Sequence, residues 1–344
     1  KLLNNDNLHT MTHEQQIIIG ESPSFLEIIE QTSRAASHDR AVLVIGERGT
    51  GKELIASRLH FLSPRWEQNF VQVNCAALTD TLLESELFGH EAGSFTGAAS
   101  KRIGRFEEAH NGTIFLDEIA STSLAAQEKI LRVTEYGTFQ RVGNNKTHYS
   151  DVRIIGATNI DLPNAADLGD FRHDLLDRLS LDVITLPPLR ARKSDIIILA
   201  THFAQKIAQI RGWSSFQGFS KTMRETMIDY SWPGNIRELK NVIERAVYHA
   251  DDQYDLIDHI VLDPFQSPYR PQTIDKTHTP HPPKSPKAVI EGPKNFHQTI
   301  NHYEKDLLQG ALKANKFNQR STAEYLSLSY HQLRHQLKKH GLHD

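Results

Sequence analysis

One short run constrains this chain's fold more than any other: the apolar residues 41–45 followed by Gly46, Glu47, Arg48, Gly49, Thr50, Gly51, Lys52 and Glu53. Five apolar residues closed by a glycine read as a buried strand, and residues 52–62 carry an amphipathic helical pattern. A glycine-rich turn between strand and helix is the context of a P-loop. Its glycines let backbone N–H groups face phosphate, and the helix N-terminus adds partial positive charge. Lys52 stands where it reaches the β and γ phosphates of a nucleotide. Glu53 occupies the place where the general pattern has Ser or Thr for magnesium, so the strict motif is broken there.

A P-loop needs a parallel sheet around it, and the next 140 or so residues carry the pattern of one. Residues 70–74, 113–117, 152–159 and 182–186 are further short apolar runs bounded by turn or polar residues. Residues 125–137 between them read as an amphipathic helix. Alternating strands and helices predict an α/β fold, with a parallel sheet covered on both faces. From Asp195 to about His259 the strand patterns stop and helical ones continue, which predicts a small all-helical subdomain.

The run at 113–117 ends in two carboxylates, Asp117 and Glu118. Asp117 can hold magnesium through water, and Glu118 can orient and polarise an attacking water. A solvated acidic turn is the bland alternative. The P-loop 65 residues upstream of Asp117 argues against it.

Composition bounds the setting. No stretch approaches the ~20 consecutive apolar residues of a membrane span, and no basic-then-apolar export signal opens the chain. Cys75 is the single cysteine, which excludes an internal disulfide or a cysteine zinc cage. These features predict a cytoplasmic protein without membrane insertion. Residues 1–265 carry 27 Lys+Arg against 36 Asp+Glu, whereas residues 295–344 carry 7 against 4. A basic tail on an acidic body points to nucleic acid at the C-terminal end. Between them, residues 266–297 hold seven of the fourteen prolines and almost no apolar periodicity, and read as an extended linker.

The tail opens with an amphipathic pattern over 298–314 around Ile300, Tyr303, Leu307, Leu308 and Leu312. A second helical segment covers 318–326, and a turn at 327–329 precedes a polar, basic last helix with Ser329 as its N-cap. This resembles a Fis-type helix-turn-helix. The outward Tyr330, His331, Gln332, Arg334 and His335 then face a major groove, with Lys338 and Lys339 near phosphate.

Further motifs carry a wider resemblance. Gly93, Ser94, Phe95, Thr96, Gly97 and Ala98 are similar to the GAFTGA signature of bacterial enhancer-binding proteins, the AAA+ activators of sigma-54 RNA polymerase. Residues 86–91, 171–179 and 232–239 are similar to other stretches of that family, in which Glu is usual after the P-loop lysine. Ser94 departs from the usual alanine. The resemblance implies a hexameric ATPase that uses ATP and Mg2+, binds upstream enhancer DNA, and remodels the closed sigma-54 polymerase complex. It implies that Asn74 restrains Glu118 and that Asn159 senses the γ-phosphate. Arg172 and Arg178 match fingers that reach the neighbouring subunit's ATP, and Arg237 matches a second sensor in the lid. The resemblance makes the 93–98 loop the sigma-54 contact.

About sixteen residues precede Ile17, too few for the receiver or ligand-sensing domain that most members carry. Members of phage-shock operons lack one and are held in check by a separate membrane-associated inhibitor, phage shock protein A. Trp66 matches a tryptophan implicated in that contact, or else anchors its own loop. The organisation expected is a short extension over 1–16, an ATPase subdomain over 17–190, a helical lid over 191–265, the linker over 266–297 and the helix-turn-helix over 298–344. Two rivals are a sigma-70 regulator with a decayed ATPase and a remodelling ATPase such as a helicase loader. The intact Lys52, Asp117 and Glu118 argue against the first, and the 93–98 loop and the tail against the second.

Overall fold

The computed structural model describes residues 18–95, 98, 100–250, 252–267, 269–270, 296–315 and 317–342, with the backbone alone for 296–299. The 1–16 extension, most of the Pro-rich linker, and Thr96 and Gly97 of the expected sigma-54 contact lie outside the described residues. The chain divides into two compact units, residues 1–266 and 267–344.

In the first unit the five predicted strands are all present: β1 (Val42–Ile45), β2 (Phe70–Asn74), β3 (Thr113–Asp117), β6 (Arg153–Thr158) and β7 (Asp182–Thr185). They form one parallel sheet in the order β2-β3-β6-β1-β7. Successive side chains of a strand point to opposite faces, so the two faces build separate cores. Leu43, Ile114, Leu116 and Ile154 pack on one side with residues of α3 (Asp80–Phe88), α5 (Leu124–Tyr136) and α7 (His173–Leu179). Val42, Val44, Phe115 and Ile155 pack on the other against α1 (Pro23–Ala36) and α2 (Lys52–Phe61). Short helices α4 (Arg105–Glu108) and α6 (Leu162–Asp167) complete the cover.

The buried Arg153 fixes α1 and α2 to the sheet. Its guanidinium donates to Ala35 O at 2.8 Å, and to Ala36 O and Leu59 O at 3.3 Å. Those carbonyls lie in the last turns of the two helices, where positive charge is favoured. The α2 helix that starts at Lys52 is thereby held at its far end.

An antiparallel hairpin, β4 (Thr138–Gln140) with β5 (Thr147–Tyr149), was not expected. Each strand has three residues and only Phe139 among them is buried, too little for a period-2 pattern to register. The predicted helical subdomain is α8 (Lys193–Ile210), α9 (Lys221–Asp229) and α10 (Asn235–His249) around Leu199, Met223, Trp232 and Leu239.

The second unit has three helices, α11 (Phe296–Ala314), α12 (Gln319–Tyr325) and α13 (Tyr330–Lys339), closing on Leu308, Leu312, Ala323, Leu333 and Leu337. Asn318 caps α12 by accepting from Arg320 N and Ser321 N. Ser329 caps α13 in a reciprocal capping box with Gln332.

Candidate nucleotide site and its lid

The strand order brings the chemistry together. β1 carries the P-loop at its C-terminal end and β3 carries the carboxylates, with β6 lying between them. The first residue after β6, Asn159, is therefore set between the two. With its amide nitrogen donating, Asn159 reaches Glu118 Oε2 at 2.8 Å, while its oxygen accepts from Arg48 Nε at 3.2 Å. One carboxamide links the Glu118 carboxylate to the P-loop.

Glu118 sits in left-handed backbone, φ 52°. That conformation costs a non-glycine residue about 1–2 kcal/mol, and such strain concentrates where a side chain must be aimed. Asp117 Oδ1 accepts from the Glu118 N–H at 3.1 Å, fixing the two carboxylates relative to each other. Asn74 is opposite Asp117 in the β2–β3 register. Its Oδ1 accepts from Ala76 N at 2.9 Å, so in this conformation Asn159, not Asn74, holds Glu118. Cys75 is buried next to the carboxylates, and burial pushes its thiol up to about 12.

Lys52 donates to Gly46 O at 2.9 Å within the loop. Burial lowers its pKa, and the charges of Glu118 and Asp117 oppose that shift. Thr50 is buried and donates to Glu47 O at 2.8 Å, which tightens the turn. Glu53 lies in the first turn of α2.

The lid grips the P-loop directly, a feature that sequence reading missed. The buried Asn235, at the start of α10, has φ 52°. Its Oδ1 accepts from Leu189 N at 2.8 Å, and its Nδ2 donates to Arg48 O at 3.0 Å and Glu47 Oε2 at 3.1 Å. Ile236 N donates to Gly49 O at 2.9 Å. Gly49 has φ 77°, and a Cβ there would lie 2.4 Å from Gly234 O, so no side chain fits between loop and lid. Arg190 forms a bidentate pair with Glu47, at 2.5 and 2.8 Å. The Arg190 and Asn235 hydrogen bonds hold the Glu47 carboxyl down at about 2, so it stays charged at every physiological pH. Arg237 follows on the same turn, exposed, and near enough for its charge to act on Lys52.

Beside Thr50 and Gly51 opens a mainly apolar cavity, lined among others by Ile19, Phe25, Leu199 and Ile236. An apolar slot continuous with a phosphate loop suits a nucleotide base.

The remaining predicted residues lie elsewhere. Arg172 pairs with Asp174 at 2.7 Å and Arg178 with Glu135 at 2.8 Å. Among the described residues, neither arginine bonds to the P-loop or to Glu118. In the 93–98 loop, Gly93 N donates to Ala98 O at 2.8 Å and Ala98 N to Phe95 O at 3.0 Å. The Phe95 ring meets His90 edge-on, with centroids 5.1 Å apart. At the loop's base Arg141, 4% exposed, bridges Glu91 at 2.9 Å and Glu107 at 2.7 Å. Trp66 is 55% exposed. In the second unit Tyr330, His331, Gln332, Arg334, His335, Lys338 and Lys339 are all exposed while Leu333 and Leu337 are buried, a polar face on an anchored helix.

A five-stranded parallel sheet, a P-loop, a strand ending in paired carboxylates and a helical lid on that loop define an AAA+ ATPase, here followed by a helix-turn-helix unit. The comparisons with known proteins agree. Residues 18–185 match the sigma-54 interaction domain, 190–274 an AAA+ ATPase lid domain and 300–340 the bacterial regulatory protein Fis family. The Psp operon transcriptional activator of Escherichia coli K12 is 50% identical over 339 residues, which cover 96% of this chain and 100% of that protein. The anaerobic nitric oxide reductase transcription regulator NorR of Salmonella arizonae is 39% identical over 95% of this chain, which spans 63% of its length. The crystal structure of NtrX from Brucella abortus in complex with ADP superposes with a TM-score of 0.66 at 30% identity, covering 94% of this chain and 69% of that one. The chain belongs to the sigma-54-dependent transcriptional activators, and it is an ATPase that binds DNA through a Fis-type helix-turn-helix.

Proposed function

We propose that this activator works as a cytoplasmic hexamer at a phage-shock operon, where it binds upstream enhancer DNA and opens the closed sigma-54 polymerase complex. The observation that carries the mechanism is the Asn159 bridge between Glu118 and Arg48. Glu118 takes the proton of the attacking water, and Asn159 reports the state of the γ-phosphate to both groups. Lys52 and the P-loop N–H groups bind the phosphates. Arg172 and Arg178 act on the next subunit's nucleotide, and a planar guanidinium that stays charged suits that task. Asn74 takes over the restraint of Glu118 in another nucleotide state.

The residues fit Mg2+, which is bound through one or two carboxylates plus phosphate oxygens and keeps several waters. Asp117, which ends β3 on the same side of the sheet as the P-loop, would hold it through water. The ion, when bound, neutralises phosphate charge.

Residues 93–98 contact sigma-54, through the Phe95 ring and the Thr96 hydroxyl. Arg141 ties Glu91, just ahead of the loop, to Glu107. Tyr330, His331, Gln332, Arg334 and His335 read base edges, and Lys338 meets phosphate. The exposure of Trp66 supports a contact with phage shock protein A more than an anchoring role.

The test is open-complex formation at a phage-shock promoter with purified sigma-54 holoenzyme. ATP should support it and a non-hydrolysable analogue should not. Addition of phage shock protein A should inhibit the wild type and spare Trp66→Ala. Opening without hydrolysis, or equal inhibition of both proteins, would contradict the proposal.

A further inference from the structure

Arg48 stands in an unfavourable place for a cation. It lies in the P-loop, where its charge acts against that of Lys52, and among the described residues it forms no ion pair. Its side chain is exposed, so water alone could satisfy the guanidinium. Instead Nε donates to the Asn159 oxygen at 3.2 Å, and the nitrogen of the same carboxamide donates to Glu118 Oε2 at 2.8 Å. The backbone of Arg48 is fixed as well: Asn235 Nδ2, at the start of α10 in the lid, donates to its carbonyl at 3.0 Å.

A carboxamide has two orientations of nearly the same shape, and its two ends are opposite in hydrogen-bond sense. With Glu118 alone beside it, Asn159 gains one bond by turning its nitrogen to the carboxylate. Arg48 adds a second bond that exists only in that same orientation. Turned over, the amide would set its oxygen against the Glu118 carboxylate and its N–H against the Arg48 N–H, and both bonds would be lost. In the orientation that keeps them, Glu118 is held by one oxygen, while Oε1 takes no hydrogen bond among the described residues. One oxygen fixed and one free is what a carboxylate needs to accept a proton from a water at a set position.

We propose that Arg48 is a positioning residue for ATP hydrolysis: its hydrogen bond sets the orientation of the Asn159 carboxamide and thereby the aim of the Glu118 carboxylate. The assignment rests on the reading of Glu118 as the group that takes the water's proton. It goes beyond that reading, because Arg48 bonds to Asn159 and not to Glu118. The cation beside Lys52 is then kept for what it does to a neutral side chain, not for phosphate binding.

The experiment is a double-mutant cycle on the full chain, with Arg48→Ala, Asn159→Ala and both together. It reads the single-turnover rate of ATP hydrolysis and the Kd for ATP. Arg48→Ala should bind ATP within about twofold of wild type and hydrolyse it about three- to tenfold more slowly, the range of one hydrogen bond. Asn159→Ala should also be slower than wild type, and adding Arg48→Ala to it should slow it no further. A wild-type rate in either single variant would overturn the assignment, as would two penalties that multiply in the double variant. So would a loss confined to the Kd, which would make Arg48 a phosphate ligand. Failure of the underlying reading shows separately: Glu118→Gln at wild-type turnover would remove the proton acceptor itself, whatever Arg48→Ala does.

Discussion

At the scale of single residues, the site divides labour between groups that bind and groups that react. In the proposed site Lys52 is the cation for the β and γ phosphates, so Lys52→Ala should abolish nucleotide binding, read by a fluorescent ATP analogue. Glu118 touches no phosphate in this reading, and Glu118→Gln should bind ATP normally while hydrolysing it about 100- to 10,000-fold more slowly. Wild-type turnover by Glu118→Gln would remove Glu118 from its role. Both residues were legible from sequence because each stands in a run whose strand or helix context is local. Asn159 was legible only through family resemblance. What makes it matter, a bond to Glu118 on one side and Arg48 on the other, depends on β6 lying between β3 and β1, and strand order is not written in any one segment.

At the scale of elements, all five core strands were readable because buried parallel strands are continuous apolar runs, and the helices because their apolar faces repeat. The hairpin β4–β5 escaped notice because a three-residue strand has no period. The lid's grip on the P-loop escaped for a different reason: Asn235 lies 187 residues from Arg48, and an asparagine after a glycine reads as an ordinary helix start. Asn235 does two things at once, holding left-handed backbone and satisfying three polar groups. Asn235→Gly keeps the backbone freedom and loses the bonds, whereas Asn235→Ala loses both. We expect Asn235→Gly to destabilise the first unit by about 1–3 kcal/mol through the unpaired Leu189 N and Arg48 O. Asn235→Ala should cost about 1 kcal/mol more for the strained φ, and both should raise the KM for ATP. Denaturant melts rank the three proteins, and equal stability of the two variants would show that backbone strain plays no part.

At the scale of the whole molecule, the proposed function joins an ATPase whose arginine fingers would serve a neighbour to a DNA-reading unit that supplies no chemistry. Arg178 bonds to Glu135 and not to the nucleotide site of its own chain, as a residue acting across a boundary would. Arg178→Ala should bind ATP almost normally and not hydrolyse it. Mixing it with Lys52→Ala should restore activity at those interfaces that pair an intact P-loop with an intact finger, and mixed hexamers without any recovery would rule out a role in trans. DNA tethering raises the local concentration of activator at the promoter without adding a catalytic group, so the two ends of the chain should fail independently. The most direct test is an abortive-initiation assay with sigma-54 holoenzyme, run over a range of activator concentrations on the wild type, Thr96→Ala and a chain lacking residues 295–344. The account predicts that Thr96→Ala hydrolyses ATP yet opens no promoter at any concentration, while the truncated chain opens it when concentrated and loses specific DNA binding. Normal activation by Thr96→Ala, or operator binding by the truncated chain equal to wild type, would contradict it.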